Sequence, residues 1–262
     1  MPTVMHHAPG TFCWPELATP AAPAEIAFYT ALFGWDVFSV PMESGAYHKL
    51  QLDGRDVAAM YEMSPAMREQ NVPPHWAAYV SVANADESAQ VVKQSGGRIV
   101  MGPFDVLEQG RMAVAADPAG ATFCLWQPAQ HPGAAALGRP GALVWTQLNT
   151  PDPTSAKAFY GSVLGWTYRD TPIGTGAAYT TCLRSEVPAG GILAIPPEAP
   201  EGAPAHWLSY FGVTDLDASH ARALALGARA WVAPADLGGG ARYSVLSDPT
   251  GAAFGLASGL QA

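Results

Sequence analysis

Short runs of alternating hydrophobic and polar residues are separated along this chain by segments whose hydrophobic residues recur every three or four positions. The segment ELATPAAPAEIAFYTALFG, residues 16–34, predicts the end of a strand followed by a helix. Gly34 stands where helices commonly end with a left-handed residue. The runs that follow, WDVFSV, AYHKLQLDG and RDVAAMYEM, are separated by turn residues and predict three strands. The pattern therefore predicts a unit of strand, helix and three strands.

The sequence repeats itself at a shift of 131 residues. FYTALFGW at 28–35 then meets FYGSVLGW at 159–166, and DPAGATF at 117–123 meets DPTGAAF at 248–254. So many coincidences of aromatic and glycine residues at one shift indicate a tandem duplication.

The join between the two copies falls in the segment 130–141, whose Gly, Pro and Ala residues are typical of a linker. We therefore predict two domains, 1–135 and 136–262, and 262 residues are ample for both. A fainter repeat at a shift of 63 residues relates the two parts of each copy, so that the chain contains four copies of the predicted unit.

The motifs FYxxLFGW after the first helix and DPxGxxFxLW in the last hairpin resemble those of the vicinal oxygen chelate superfamily. That superfamily includes glyoxalase I, the bleomycin-resistance proteins, the fosfomycin-resistance enzymes and the extradiol dioxygenases. The resemblance extends over nearly the whole chain. It implies an α+β fold with four βαβββ modules, paired into two eight-stranded cup-shaped sheets with helices outside.

Members that use a metal take their ligands from inward-facing positions on four strands of each cup. The resemblance places three of these positions at Trp14, Ala77 and Cys124 in the first copy, and at Trp145, Leu208 and Gly255 in the second. The remaining position falls near 58–60 or 190–193. Indole offers no lone pair to a cation, and a site needs about four donors, or three and a water. We therefore expect neither cup to bind a catalytic metal in the usual way of the superfamily, and we expect no cofactor.

Because side chains alternate along a strand, the residues that share a face with these positions should line the cups. The predicted ligand-binding residues are Trp14, Tyr47, Tyr79, Cys124, Trp126, Trp145, Gln147, His206, Tyr210 and Arg242. A lining of aromatics with a few polar groups is typical of a small-molecule pocket.

Three residues are candidates for catalysis. Glu16 is a candidate base, since burial beside Trp14 should raise its pKa, whereas the second copy has Gln147 at this position. His75 is a second candidate base. Arg111 is a candidate donor to a developing oxyanion.

Each of these candidates also has a structural interpretation. The two tryptophans either fill a vacated metal cavity or stack on a ligand. The histidines either cap backbone groups at the rim or contact a ligand. Glu16 and Arg111 either act in chemistry or form ion pairs, with each other or with Asp117. Tyr47 is either a cavity hydroxyl or a core edge, and Cys124 is either a ligand contact or an inert buried thiol.

Composition limits the partners. Charged residues make up only 13% of the chain, the net charge is −9, and the three lysines form no basic patch. Nucleic acid and acidic membranes are therefore poor partners. Three widely spaced cysteines fit a reducing cytoplasm.

Two main functional hypotheses follow. In the first, the protein binds a small aromatic or amphipathic molecule without a metal, for sequestration, carriage or resistance. In the second, it is an isomerase, epimerase or lyase that acts next to a carbonyl, with Glu16 or His75 as the acid or base. A metal-dependent glyoxalase or dioxygenase is a third possibility. The chain acts as a monomer or a homodimer in each case.

Overall fold

Two mixed eight-stranded sheets, each built from one half of the chain, organise the protein. They are seen in a computed structural model that describes residues 6–42, 45–173, 177–195 and 203–260. The elements of the first half are β1 (Phe12–Thr19), α1 (Ala22–Phe33), β2 (Asp36–Pro41), β3 (Ala46–Leu52), β4 (Arg55–Glu62), α2 (Pro65–Glu69), β5 (His75–Ser81), α3 (Ala85–Gln94), β6 (Arg98–Val106), β7 (Gly110–Ala116) and β8 (Thr122–Pro128).

The second half repeats this order except that its described residues contain no counterpart of α2. Its elements are β9 (Leu143–Thr150), α4 (Pro153–Leu164), β10 (Thr167–Ile173), β11 (Ala177–Arg184), β12 (Val187–Ala194), β13 (His206–Gly212), α5 (Leu216–Ala225), β14 (Arg229–Gly238), β15 (Ala241–Ser247) and β16 (Ala253–Ser258). No helix among the described residues is long and apolar enough to cross a membrane.

Adjacent modules pair to form each sheet. The first sheet has the strand order β2-β3-β4-β1-β5-β8-β7-β6, and the second has the equivalent order β10-β11-β12-β9-β13-β16-β15-β14. Within each module the first and last strands run parallel, and the two modules meet along the antiparallel pairs β1–β5 and β9–β13. The predicted fold of four βαβββ modules and two eight-stranded sheets is confirmed, and the structure decides which modules pair. The boundary between 135 and 136 stays a prediction.

A β-bulge at Cys13 determines which side chains of β1 point into the cup and which point toward the helices. Phe12 pairs with Val80 and Trp14 pairs with Tyr79, so that one residue of β1 is left without a partner. Phe12 and Trp14 would share a face in a regular strand, but here Phe12 enters the helix-side core and Trp14 enters the cup. In a regular strand Cys13 would face away from Trp14 and pack under the helix. It packs instead with Trp14 and the cup residues.

The helices cover the faces of the sheets that lie opposite the cups, and these faces pack against each other. One core cluster joins residues of β5, β7, β8 and α3 to residues of β9, β12 and α4. A second joins the first module to the fourth. The two cups therefore open in opposite directions.

The repeated FY and GW motifs hold the two halves together. Trp35 donates to the carbonyl of Gly141 and Trp166 donates to the carbonyl of Gly10, each at 2.7 Å. The motifs that carry the family resemblance are therefore mainly interface residues between halves.

Candidate functional site

Cross-strand neighbours define the floor of the first cup, because residues paired across a sheet share a face. One row of paired residues crosses five strands and contains Phe38, Lys49, Ala59, Glu16 and Ala77. The residues at 58 and 60 lie on the helix side, so the alternation along β4 is regular at this point.

Glu16 lies at the centre of this floor and is held by two phenols. Tyr47 donates to Oε2 at 2.6 Å and Tyr79 donates to Oε1 at 2.7 Å. Trp14 donates in turn to the Tyr47 hydroxyl at 3.2 Å. The Glu16 side chain is buried, and among the described residues it forms hydrogen bonds with these two tyrosines and no ion pair with a lysine or an arginine. The proposed pairing of Glu16 with Arg111 is therefore wrong.

The electrostatics of the site follow from this burial. Burial raises the pKa of Glu16, while the donors from Tyr47 and Tyr79 act in the opposite direction. Burial, followed by the nearby Glu16 charge, raises the pKa of both tyrosines well above the usual range. The phenols are therefore neutral donors at neutral pH, and the carboxyl group is more basic than an exposed one.

The walls of the first cup are apolar on two sides. Met112 and Val114 on β7 pack with Trp126 on β8, and the paired residues of β6 extend this wall to the exposed Met101 and Phe104.

On the opposite side, the exposed Phe38 and Val40 of β2 share faces with Lys49 and Tyr47. The cup thus combines a carboxyl and phenol floor with an apolar rim.

The second cup has a different centre. Trp145 donates to Tyr179 at 2.6 Å, whereas Gln147 bonds to Asn149 at 2.9 Å. A Cβ atom at Gly191 would overlap the Tyr179 hydroxyl, and one at Gly255 would overlap the ring of Tyr210. Two tyrosine rings therefore lie over two glycines and occupy the middle of this cup.

The family's metal positions can be tested against these contacts. In the first cup they hold Trp14, Ala59, Ala77 and Cys124, of which only the thiol is a donor. In the second cup they hold Trp145, Gly191, Leu208 and Gly255. Within the described ranges, no three His, Cys, Asp or Glu side chains group closely enough to hold an ion. The donor set does not fit the metal that the fold family implies.

The two arginines among the candidates do not enter the cups, so their expected cavity positions are wrong. Arg111 pairs with Asp86 at 2.7 Å and Asp105 at 2.9 Å, on the side of β7 where α3 lies. Arg242 pairs in the same way with Asp217 and Asp236. The ion pair of Arg111 with Asp117 is also wrong, because Asp117 accepts from Tyr160 and from backbone N–H groups.

The histidine candidates lie at the ends of their strands. Nδ1 of His75 is 2.8 Å from the carbonyl oxygen of Pro73, and Nδ1 of His206 is 3.0 Å from that of Pro204. Nε2 of His206 also contacts Asn149. These contacts match the capping interpretation, and neither histidine contacts Glu16.

Cys124 lies at the cup surface beside Tyr79, its partner in the sheet. Its side chain is buried, and burial raises the pKa of its thiol well above the usual range. A thiol in this environment stays protonated and is a poor nucleophile.

One residue of the first cup, His131 of the linker, was not among the predicted site residues. Its ring lies 4.6 Å from the ring of Trp14 and 6.0 Å from that of Trp126. Its backbone carbonyl accepts from Trp126 at 2.9 Å. No periodic pattern could have found it, because the linker belongs to neither a strand nor a helix.

Family comparisons agree with this geometry. Residues 11–125 match the model described as Glyoxalase/Bleomycin resistance protein/Dioxygenase superfamily, and residues 145–257 match the model described as Glyoxalase-like domain. The chain belongs to this superfamily, with two of its domains in tandem.

Curated relatives match over almost the whole chain. A protein of Mycobacterium tuberculosis, provisionally named glyoxylase CFP32, is 38% identical over 98% of this chain and 97% of its own length. The anthracycline biosynthesis protein DnrV of Streptomyces peucetius is 35% identical over 95% of this chain and 93% of its own length.

Solved structures share the fold. The Mn(II)-bound glyoxalase of Novosphingobium aromaticivorans aligns with a TM-score of 0.66 at 16% identity, over 97% of this chain and 83% of that one. The 2,2',3-trihydroxybiphenyl 1,2-dioxygenase of Sphingomonas wittichii aligns with the same TM-score and identity, over 97% of this chain and 92% of that one. At this identity the likeness concerns the fold alone.

Proposed function

We propose that the first cup binds a small aromatic molecule that carries a carbonyl or hydroxyl group, and that it does so without a metal ion. One observation carries the proposal: Glu16, Tyr47 and Tyr79 form a buried polar centre inside a cup whose walls are otherwise apolar. A flat ligand would lie against Trp14 and Trp126, with its polar edge directed to this centre. Such pockets, apolar with a few placed polar groups, suit small organic molecules.

The relative named for anthracycline biosynthesis supports this class of ligand. Anthracyclines are planar polycyclic aromatics with several hydroxyl and carbonyl groups, and their chemistry matches an aromatic cup with a carboxyl and phenol floor. The ligand would be uncharged, because Lys49, the cation on the cup floor, already pairs with Asp56 at 2.8 Å.

The second cup would serve packing rather than binding. Tyr179 and Tyr210 occupy its centre above Gly191 and Gly255, and Gln147 stands in place of the carboxyl group. We therefore expect one ligand for each chain. We also propose that the chain acts in the cytoplasm, as its three buried free thiols favour, and as a monomer or homodimer.

Titration with 1,4-dihydroxyanthraquinone tests the binding function. Metal-stripped protein should bind one equivalent, with quenching of its tryptophan fluorescence. Trp14→Ala should weaken binding about tenfold through lost stacking and burial, whereas Trp145→Ala in the second cup should leave the affinity unchanged. Binding that appears only after a divalent metal is added, or that responds equally to both substitutions, would contradict the proposal.

Proton transfer is a second candidate function, favoured by the two phenols that hold Glu16. In this reaction the Glu16 carboxylate takes a proton from a carbon next to a ligand carbonyl. The C–H electron pair forms the C=C bond of an enolate, and the negative charge moves to the carbonyl oxygen. Tyr47 or Tyr79 then donates to that oxygen. Return of the proton to the opposite face of the same carbon gives an epimer, and in a ligand with a conjugated C=C bond its return to the γ-carbon gives an isomer.

Deuterium exchange separates this activity from binding. In D₂O the wild-type protein should accelerate the exchange of the C1 protons of 2-tetralone, and Glu16→Gln should abolish the acceleration while the affinity is retained. Gln147 beneath equivalent aromatic residues indicates that glutamine fits this position. Glu62→Gln, the same change at an exposed site, is the control. Retained binding without exchange in the wild type would eliminate catalysis and keep the binding function.

A further inference from the structure

The linker closes one end of the first cup. We call residues 129–135 the strap. It begins against the β6–β7 turn, where the His131 amide donates to the Gln109 carbonyl at 3.0 Å. It then reaches the middle of the sheet, where the Ala134 amide donates to Cys13 and the Ala135 amide to Asp56, both at 2.7 Å. The strap therefore crosses from one wall of the cup to the start of β1.

The strap is anchored rather than loose. Nε2 of the buried His7 lies 3.0 Å from the Ala134 carbonyl oxygen. Gly133 has a φ of 116° and passes so close to Cys13 that a side chain could not be accommodated. A fixed backbone at this point gives the His131 side chain a defined position.

His131 brings a ring nitrogen to the end of the cup where Trp14 lies, near the Lys49–Asp56 pair. Its ring packs edge-on against both Trp14 and Trp126, and its Nε2 atom is buried without a hydrogen-bond partner among the residues that the structure describes. A buried polar atom left unpaired destabilises a folded protein, so its retention calls for an explanation. Burial lowers the pKa of His131 to about 4, and the ring is therefore neutral at neutral pH.

His131 and Glu16 stand on different sides of Trp14 along β1. The strap meets β1 at Cys13, before Trp14, whereas Glu16 follows it. A flat ligand lying along Trp14 would have one end at the Glu16 centre and the other end at His131. At the shift of 131 residues the counterpart of His131 in the sequence is Ala262, and alanine has no ring nitrogen.

We infer that His131 is a ligand-contacting residue of the first cup, and that its Nε2 atom hydrogen-bonds a second polar group at the far end of the aromatic ligand. The inference rests on the proposed function and narrows the class of ligand. The preferred molecule is a rigid aromatic with polar groups at both ends.

Paired naphthols test the inference. Calorimetry compares 2-naphthol with 2,6-dihydroxynaphthalene, which adds a second hydroxyl at the opposite end. Wild-type protein should bind the diol about tenfold more tightly than 2-naphthol. His131→Ala should remove this difference in affinity, whether the single hydroxyl of 2-naphthol points to Glu16 or to His131. His48→Ala is the matched control, because His48 contacts Ser39 on the face away from the cup and should leave the advantage intact.

A spectroscopic readout distinguishes contact from packing. In ¹⁵N-histidine-labelled protein, the His131 Nε2 resonance, assigned by its loss in His131→Ala, should shift on addition of the diol. An advantage that persists in His131→Ala, or a resonance that the diol does not move, would overturn the inference and leave the ring as packing against Trp14. Wild-type protein that binds neither naphthol would refute the proposed function as well, whereas tight binding of both with no diol advantage would refute the inference alone.

Discussion

The hydroxyl of Tyr29 donates a 2.9 Å hydrogen bond to Oδ2 of Asp248, which lies in the other half of the chain. Trp76 donates to the same hydroxyl at 2.8 Å. The duplication repeats this arrangement in Tyr160, which accepts from Trp207 and donates to Asp117. The tyrosine of the FY motif thus links its own sheet to the aspartate turn of the opposite half.

We predict that Tyr29→Phe destabilises the protein by about 1–3 kcal/mol, because it removes the hydroxyl that donates to Oδ2 of Asp248 and accepts from the indole N–H of Trp76. Denaturant unfolding measures this loss. Tyr243→Phe, at a partly buried site in the second cup, should have a small effect. Equal losses in the two variants would argue against a special role for the bond between halves.

Glu25 should make stability dependent on pH. It is fully buried beside Asp248, and burial followed by the Asp248 charge raises the pKa of Glu25 from 4.5 to about 8. In the unfolded chain this carboxyl ionises near its ordinary value. The stability it contributes is therefore complete below about pH 4.5 and is lost as the pH rises to about 8.

Glu25→Gln should remove this dependence and gain stability relative to wild type across that window, on the order of 2 kcal/mol at its upper end. Urea unfolding between pH 4.5 and 9 measures the difference. Glu69→Gln, the same change at an exposed residue, should give parallel curves. A constant difference between Glu25→Gln and wild type would show that Glu25 does not titrate in this range.

Gly191 should not tolerate a side chain, because the Tyr179 hydroxyl occupies the space of a Cβ atom. Gly191→Ala should cost about 1–3 kcal/mol as the tyrosine is displaced. Gly161→Ala lies in α4, where the nearest atom to a new Cβ is 3.5 Å away, and it should be neutral or stabilising. Thermal unfolding of the two variants makes the comparison, and similar melting temperatures would refute a tightly packed second cup.

Tyr47→Phe should raise the pKa of Glu16 further, because it removes one of the two donors that favour the carboxylate. A ¹³C titration of the glutamate carboxyl resonances gives the value directly. Tyr61→Phe is the control, since no hydrogen bond joins the Tyr61 hydroxyl to Glu16 among the described contacts. An unchanged or lowered pKa in Tyr47→Phe would mean that the phenol does not stabilise the charge.

Arg111→Ala should leave the binding of 1,4-dihydroxyanthraquinone unchanged, because the guanidinium group pairs with Asp86 and Asp105 away from the cup. Fluorescence titration measures the affinity. A strong loss of binding would show that Arg111 contributes to the ligand site despite its ion pairs with Asp86 and Asp105.

Periodicity and duplication were enough to predict the four modules. The two sheets and the inward positions of Trp14, Glu16 and Tyr79 were predicted from the family resemblance together with the alternation of side chains along a strand. None of these patterns could predict the faces of Cys13 and Arg111. A bulge shifts the alternation of β1 at Cys13, and no local pattern in the sequence marks it. Arg111 follows regular alternation, but its short distance to Asp86 depends on where α3 packs, and that is a tertiary contact.

The position of His131 could not be predicted either, because it also depends on tertiary contacts. Its place in the first cup depends on the path of the linker across the sheet, which is determined by backbone hydrogen bonds to Cys13 and Asp56. The contact of His75 with the Pro73 carbonyl, in contrast, is local in the sequence, and backbone capping was one of its two predicted roles.

The packing of the two halves through their helix-covered faces has a consequence for their history. A single half, expressed alone, would expose the apolar surface that its sister now covers, and would need a second identical copy to hide it. Joining the two copies in one polypeptide made that association permanent. Within one polypeptide the two cups also need not have the same sequence. The first therefore has a glutamate at position 16, while the equivalent position 147 of the second has a glutamine.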